Sequence, residues 1–363
     1  MTLCAPGTAD NRYSCFTNES LMKIANEYNS QFTDDQIVFS KKEFNRNEVW
    51  KAIKKKMMRF TPNCDKDWCL LNNPVLKNLN DPEITERTFR PEMPKNWNDN
   101  PTEWLSTLDI QSVMEQYEFK YTDFKFIGPV PIDFDHKIIP DMCVSDELCK
   151  IDLKNLYKQG MRKLGIIFNL DPHYRGGSHW VTMFLDMKTG GIYYFDSVGS
   201  KPPGEIVNLM NKLKIQGNNL IMTDVIDIDL LDNSHSINLE FKPITRSRIK
   251  IHAHDDNLKF VGKTILLNNA GETDLNQIVK VKDGNLVLKH PLANKEISNF
   301  VDKGFKIFYN KKQFQYKDSE CGIYAIHFLE QFLLGKKFNE LESAYYTDEE
   351  MILKRSYYFR NSK

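Results

Sequence analysis

Residues 315–334 read QYKDSECGIYAIHFLEQFLL. From Gly322 to Leu334 the run is apolar almost all round, the pattern of a helix buried on every side. Cys321 stands at its start. The first turn of a helix presents N–H groups without intrahelical partners and a partial positive charge, and both favour a thiolate over a thiol. Gly322 leaves room for a substrate backbone to approach the sulfur. The same residues also suit a small buried cysteine at a helix start, so this segment alone leaves two readings open.

A nucleophilic thiol needs a base, and the base needs a group that orients it. Upstream, HWVTMFLDM (179–187) and GIYYFDS (191–197) read as strands joined by the turn-forming Lys188–Gly190. Paired as a hairpin, they put His179 and Asp196 at one end of a sheet, where the carboxylate fixes the imidazole tautomer that accepts the thiol proton. LGIIFNL (164–170) reads as a further buried strand, and Phe305–Tyr309 alternates like another. Transient negative charge on a substrate carbonyl needs donors. The backbone N–H of Cys321 is one; Gln315 and Gln313 are side-chain candidates for a second.

These motifs carry a resemblance. HW opening an apolar strand, then YYFDS followed by Pro-Pro-Gly, then Q-x5-CGIY, in that order, resemble the ubiquitin-like-protein (SUMO) protease and adenovirus endopeptidase superfamily. Within it they are similar to the polyprotein-processing proteases of African swine fever virus and related large DNA viruses. DWCLLNNPVLK and YTDEEMILKRSYYFR extend the likeness. The resemblance covers about residues 104–217 and 304–363. It implies an α+β, papain-like core of the SUMO-protease type, with a mixed central sheet flanked by helices. It also implies His179, Asp196 and Cys321 as triad, and Gln315 rather than Gln313 as oxyanion glutamine. Trp180, and Trp104 in EWLSTLDI, would be the two walls of a narrow tunnel. Only residues without side chains pass between two indole faces, so the implied substrate is a protein with Gly-Gly-type cleavage sites. Processing of viral structural precursors is the leading expectation. Removal of SUMO or ubiquitin, and a non-catalytic binding module, are the alternatives.

Length and composition bound the rest. The 363 residues suit one or two domains. Residues 1–103 read as mainly helical: Ser20 is a candidate cap for a helix through Leu21, Ile24 and Tyr28, Asn47–Met58 is a second helix, and Asn80–Pro101 is a loop. The protease core takes 104–363. It opens with Ser106 capping an amphipathic helix, and Glu205–Lys214 forms another behind the Asp strand. Asp196 and Cys321 lie far apart for this family, so the β-rich stretch 218–303 is expected to be an insertion, with a hairpin over Gln277–Leu288.

Lys plus Arg and Asp plus Glu both number 49, so charge balance gives no pull toward nucleic acid. No apolar run reaches the length of a bilayer span, and the N-terminus has no secretion pattern. A reducing intracellular compartment follows, and for a viral protein the host cytoplasm and the virion. The odd count of 7 cysteines argues for free thiols rather than a disulfide framework. Cys64/Cys69 and Cys143/Cys149 are spaced too loosely for zinc knuckles, and no cofactor or metal is expected. His252, His254, Asp255 and Asp256 read as a polar strand edge before they read as ligands.

Overall fold

The computed structural model describes residues 4–6, 14–40, 42–62, 64, 66–223, 227–230, 241–245, 248–251, 264–269, 272–282, 285–288 and 305–361. In chain order the elements that carry the site are helices α1 (Asn18–Gln31), α2 (Arg46–Met57) and α3 (Thr107–Lys120); strands β1 (Phe124–Pro131), β2 (Lys163–Asn169), β3 (Trp180–Asp186) and β4 (Gly191–Phe195); helix α4 (Gly204–Thr223); strand β5 (Lys306–Tyr309); and helices α5 (Cys321–Leu333) and α6 (Asp348–Tyr358). They fall into two compact units. One comprises Met1–Tyr121, Lys317–Ile326 and Tyr346–Lys363; the other comprises Thr122–Tyr316 and His327–Tyr345. The helix that begins at Cys321 thus starts in the first unit and ends in the second.

The first unit is helical, and its core gathers Leu21, Ile24 and Tyr28 of α1 with Val49, Trp50 and Ile53 of α2. Helix α1 starts earlier than its apolar spacing suggests. Thr17 caps it, its hydroxyl accepting from the Ser20 N–H, so Ser20 lies within the first turn. Ser106 caps α3 through a reciprocal capping box with Asp109, as its sequence predicts. The expected loop 80–101 contains a short helix, Pro82–Thr85, where Asp81 caps and proline at the first position supplies the right φ.

In the second unit β1 to β5 form a sheet in the order β1-β2-β3-β4-β5. The β1–β2 and β4–β5 pairs are parallel and the two between are antiparallel, so the sheet is mixed. Leu164, Ile166, Phe168, Val181, Met183 and Leu185 pack from this sheet onto Ile206, Leu209, Met210 and Leu213 of α4. Six further strands between Asp227 and Leu288 form a separate sheet, in which Glu272–Lys282 pairs antiparallel with Asn285–Leu288. The histidine and aspartate cluster at 252–256 lies outside the described residues.

The cysteines do not follow the expectation of free thiols. Cys4–Cys15, Cys64–Cys69 and Cys143–Cys149 are disulfides, and Cys321 is the one free cysteine. The bridged residues lie 11, 5 and 6 apart in sequence, and their Cα atoms 5.3, 5.6 and 6.3 Å apart in space, within ordinary disulfide reach. Each bridge clips one local loop. A count of cysteines weighs a framework of distant crosslinks and is blind to such clips.

Candidate active site

Thr182 stands opposite Phe195, so the beginning of β3 and the end of β4 share one edge of the sheet. His179 immediately precedes β3 and Asp196 immediately follows β4. His179 Nε2 lies 2.7 Å from Asp196 Oδ1. The carboxylate is buried while the imidazole keeps 18% of its side-chain surface exposed. The carboxylate engages Nε2 and so fixes the orientation of the imidazole ring.

Two glycines shape the chain on either side of this pair. Gly177 has φ +96°, and a Cβ there would meet the Asn169 amide nitrogen at 2.5 Å. Gly199 has φ +77°, and its N–H donates to the Asp196 carbonyl to close the turn after the carboxylate. A side chain at either place would be strained.

Asp196 is held from three sides. Its Oδ1 also accepts from the Val198 N–H at 2.9 Å. Buried Asn310, just past β5, accepts from the Asp196 N–H at 2.9 Å and donates to the Asp196 carbonyl at 2.7 Å. Among the described residues, Asp196 Oδ2 meets no hydrogen-bond donor. Burial, and next the Asp196 charge, push the phenol of neighbouring Tyr194 far above its ordinary range, so it stays neutral.

Gln315 is buried, and its side-chain Oε1 accepts from the Ser197 hydroxyl at 2.6 Å. Its backbone N–H donates to the Ser197 carbonyl at 2.8 Å. Because Oε1 faces a hydroxyl donor, the amide –NH2 is turned to the opposite side. Gln313 is different: its –NH2 donates to the Gln315 carbonyl at 2.9 Å. Of the two glutamines, Gln315 is the one built into the loop beside Asp196.

In the first unit, buried Cys321 opens α5 as the sequence predicts. The preceding Glu320 is fully buried and paired with Arg355 of α6 through two oxygens, at 2.9 Å from Nε and 2.8 Å from Nη2. Trp104 exposes 41% of its surface, large for an indole. Trp180, at the start of β3 in the second unit, is buried. The structure thus joins His179, Asp196, Ser197 and Gln315 within one unit and sets Cys321, Gly322 and Trp104 in the other. Ser197, Asn310, Glu320 and Arg355 were not found from the sequence, because each acts through partners distant along the chain.

No family model matches the chain. A protein of Acanthamoeba polyphaga mimivirus that carries a thiol protease name is 27% identical over 375 residues, covering 99% of this chain and 94% of its own. The SUMO-1 cysteine protease of African swine fever virus is 27% identical over 187 residues, which span 46% of this chain and 66% of that protein. A crystal structure of the African swine fever virus protease aligns with 99% of this chain and 96% of its own, at a TM-score of 0.55 and 18% identity. Fold and likeness together define a cysteine protease with an α+β core, a mixed central sheet flanked by helices, of the kind found in the African swine fever virus protease. More particularly, the chain is homologous to the mimivirus protein and to the African swine fever virus protease.

Proposed function

We propose that this cysteine protease uses Cys321 as nucleophile, His179 as general base and acid, Asp196 to orient and stabilise the imidazolium, and Gln315 as an oxyanion donor. The observation that carries the reading is the 2.7 Å bond from His179 Nε2 to a buried Asp196 carboxylate. A surface histidine would not need a buried carboxylate, and a buried carboxylate is stable only with partners of this kind. Nδ1 of His179 takes the thiol proton, and Sγ of Cys321 attacks the scissile carbonyl carbon. The N–H of Cys321 and the Gln315 –NH2 hold the oxyanion. His179 then protonates the leaving amine, and water admitted in its place is deprotonated by the same nitrogen to hydrolyse the thioester.

For substrate, we propose cleavage after small residues in Gly-Gly-X segments of viral structural precursors, during virion maturation in the host cytoplasm. The viral source of the homologues and the exposed Trp104 support this reading. Trp104 and Trp180 would form the walls of the glycine tunnel, with Gly322 leaving space beside the sulfur. A second reading, removal of a SUMO-type modifier, is favoured by the name of the African swine fever virus protein.

The test incubates purified protein with a Gly-Gly-X peptide, with SUMO and ubiquitin reporter fusions, and with capsid precursors. Thiol-sensitive cleavage of peptide and precursor is expected, lost in Cys321→Ala. Cleavage of fusions alone favours the second reading, and no cleavage of any overturns both.

A further inference from the structure

We infer that Arg355 is a positioning residue for the protease reaction, a single guanidinium that fixes the backbone at the nucleophile and the backbone at the Trp104 wall in one frame. The inference rests on the proposed roles of Cys321 and Trp104. Arg355 is 3% exposed and sits in the last turn of α6. Its Nε and Nη2 make the forked pair with Glu320, the residue immediately before Cys321. Nη2 also lies 3.4 Å from the Ser319 carbonyl. Nη1 donates to the Glu103 carbonyl at 2.7 Å, immediately before Trp104. The guanidinium carbon lies 4.4 Å from the ring centre of Trp97. One planar group therefore grips the two residues leading into the thiol-bearing helix and the residue leading into Trp104.

The chemistry selects arginine for this work. Its donors diverge in a fixed plane, so bonds to Glu320 set the direction of the bond to Glu103. Lysine keeps the charge opposite Glu320 but has one nitrogen and cannot span both partners. A residue that served stability alone would need only the neutralised Glu320. The further bond to Glu103 joins segments 252 residues apart in sequence and ends beside the wall, not in the core. Sulfur placement enters every turnover, and small displacements of a nucleophile cost rate steeply.

The experiment compares Arg355→Lys with wild type, each normalised by active-site titration with a thiol reagent so that unfolded molecules do not count. Substrates are a Gly-Gly-X peptide and its Ala-Gly-X counterpart. The expected result is a fall in kcat of about tenfold or more with a smaller change in KM, together with a weaker preference for glycine. Unchanged kinetic constants per titrated site and an unchanged preference would overturn the inference. If Arg355→Lys does not fold, Glu320→Gln decides. It weakens the charge-assisted fork that aims the guanidinium, so kcat is expected to fall and the glycine preference to weaken with it, and unaltered kcat counts against the inference. Cys321→Ala and Trp104→Ala run alongside. Activity that survives the first, or a glycine preference that survives the second, would remove the reading beneath the inference instead.

Discussion

The Ser197 hydroxyl and Gln315 Oε1 lie 2.6 Å apart, both buried, although 118 residues separate them in sequence. The contact fixes which way round the glutamine amide sits, and the proposed oxyanion role draws on its –NH2 end. Removing the amide in Gln315→Ala is expected to lower kcat by about a hundredfold or more, the usual worth of an oxyanion donor. Ser197→Ala leaves the amide present but unpinned, and should cost about tenfold, the worth of one neutral hydrogen bond. Steady-state kinetics on the Gly-Gly-X peptide separate the two. Equal losses would mean that Ser197 does more than aim Gln315.

The two bonds accepted by Asp196 Oδ1 make an unusual prediction for Asp196→Asn. An asparagine whose oxygen takes the Oδ1 position still accepts from His179 and from Val198. What it loses is the charge that stabilises the imidazolium in the proposed mechanism. Asp196→Asn is expected to keep at least about tenfold more activity than Asp196→Ala, which loses the charge and both bonds and frees the ring. If the asparagine variant is as dead as the alanine variant, charge rather than orientation is the carboxylate's contribution.

The contrast between Asp196 and Asn310 explains what the sequence made legible. Strand alternation and a turn between two apolar runs place His179 and Asp196 at one sheet edge without any tertiary information. Helix capping and apolar periodicity place Cys321 equally well. Asn310 follows an ordinary short strand, and its bonds to Asp196 cross 114 residues. Nothing local distinguishes it from a loop asparagine, and the same holds for Arg355 against Glu103. The disulfides escaped for the opposite reason. Their partners are so near in sequence that each looks like two chance cysteines in one loop.

Asn310→Ala removes the partner of the Asp196 N–H, the Asp196 carbonyl and the Lys312 carbonyl, which accepts from it at 3.0 Å. The Asp196 carbonyl keeps the Gly199 N–H, so the loss falls on the Asp196 N–H and the Lys312 carbonyl and is expected to cost about 2–3 kcal/mol. In a chain of this size that corresponds to a melting point lower by roughly 3–4 °C. Activity should fall as well, because the backbone that presents Asp196 loosens. A melting point within a degree of wild type would show that water replaces the side chain.

Asp67 provides a pH signature remote from the site. It is buried, and its Oδ2 accepts from the Cys15 N–H at 3.3 Å. Burial raises its carboxyl above the ordinary range, against the lowering effect of that bond and of Ser14. A folded-state value above the unfolded one means that the folded protein holds the extra proton. The stabilisation is therefore complete below the unfolded value of about 3.9 and is lost as pH rises through the folded value. Asp67→Asn carries no titrating proton. Its melting point relative to wild type should rise through the acidic range and level off by neutrality. Thermal melts across pH 3–7 check this, and a relative melting point that falls over the same range contradicts the assignment.

Only Cys321 among the seven cysteines has a thiol to react. Because it is buried at a helix start, its alkylation should be slow with bulky reagents and faster with small ones such as iodoacetamide. Mass spectrometry of the unreduced protein, denatured in excess iodoacetamide, is expected to give one adduct per chain; after reduction, seven. On the native protein, loss of peptidase activity should follow that single adduct in proportion. Reduction alone opens loops of 11, 5 and 6 residues, each closure worth about 2–3 kcal/mol by chain entropy. Mild reductant should therefore lower the melting point while leaving the nucleophile chemically intact, so that activity measured well below the melting point persists. Three or more adducts without reduction would mean that at least one bridge does not form in solution.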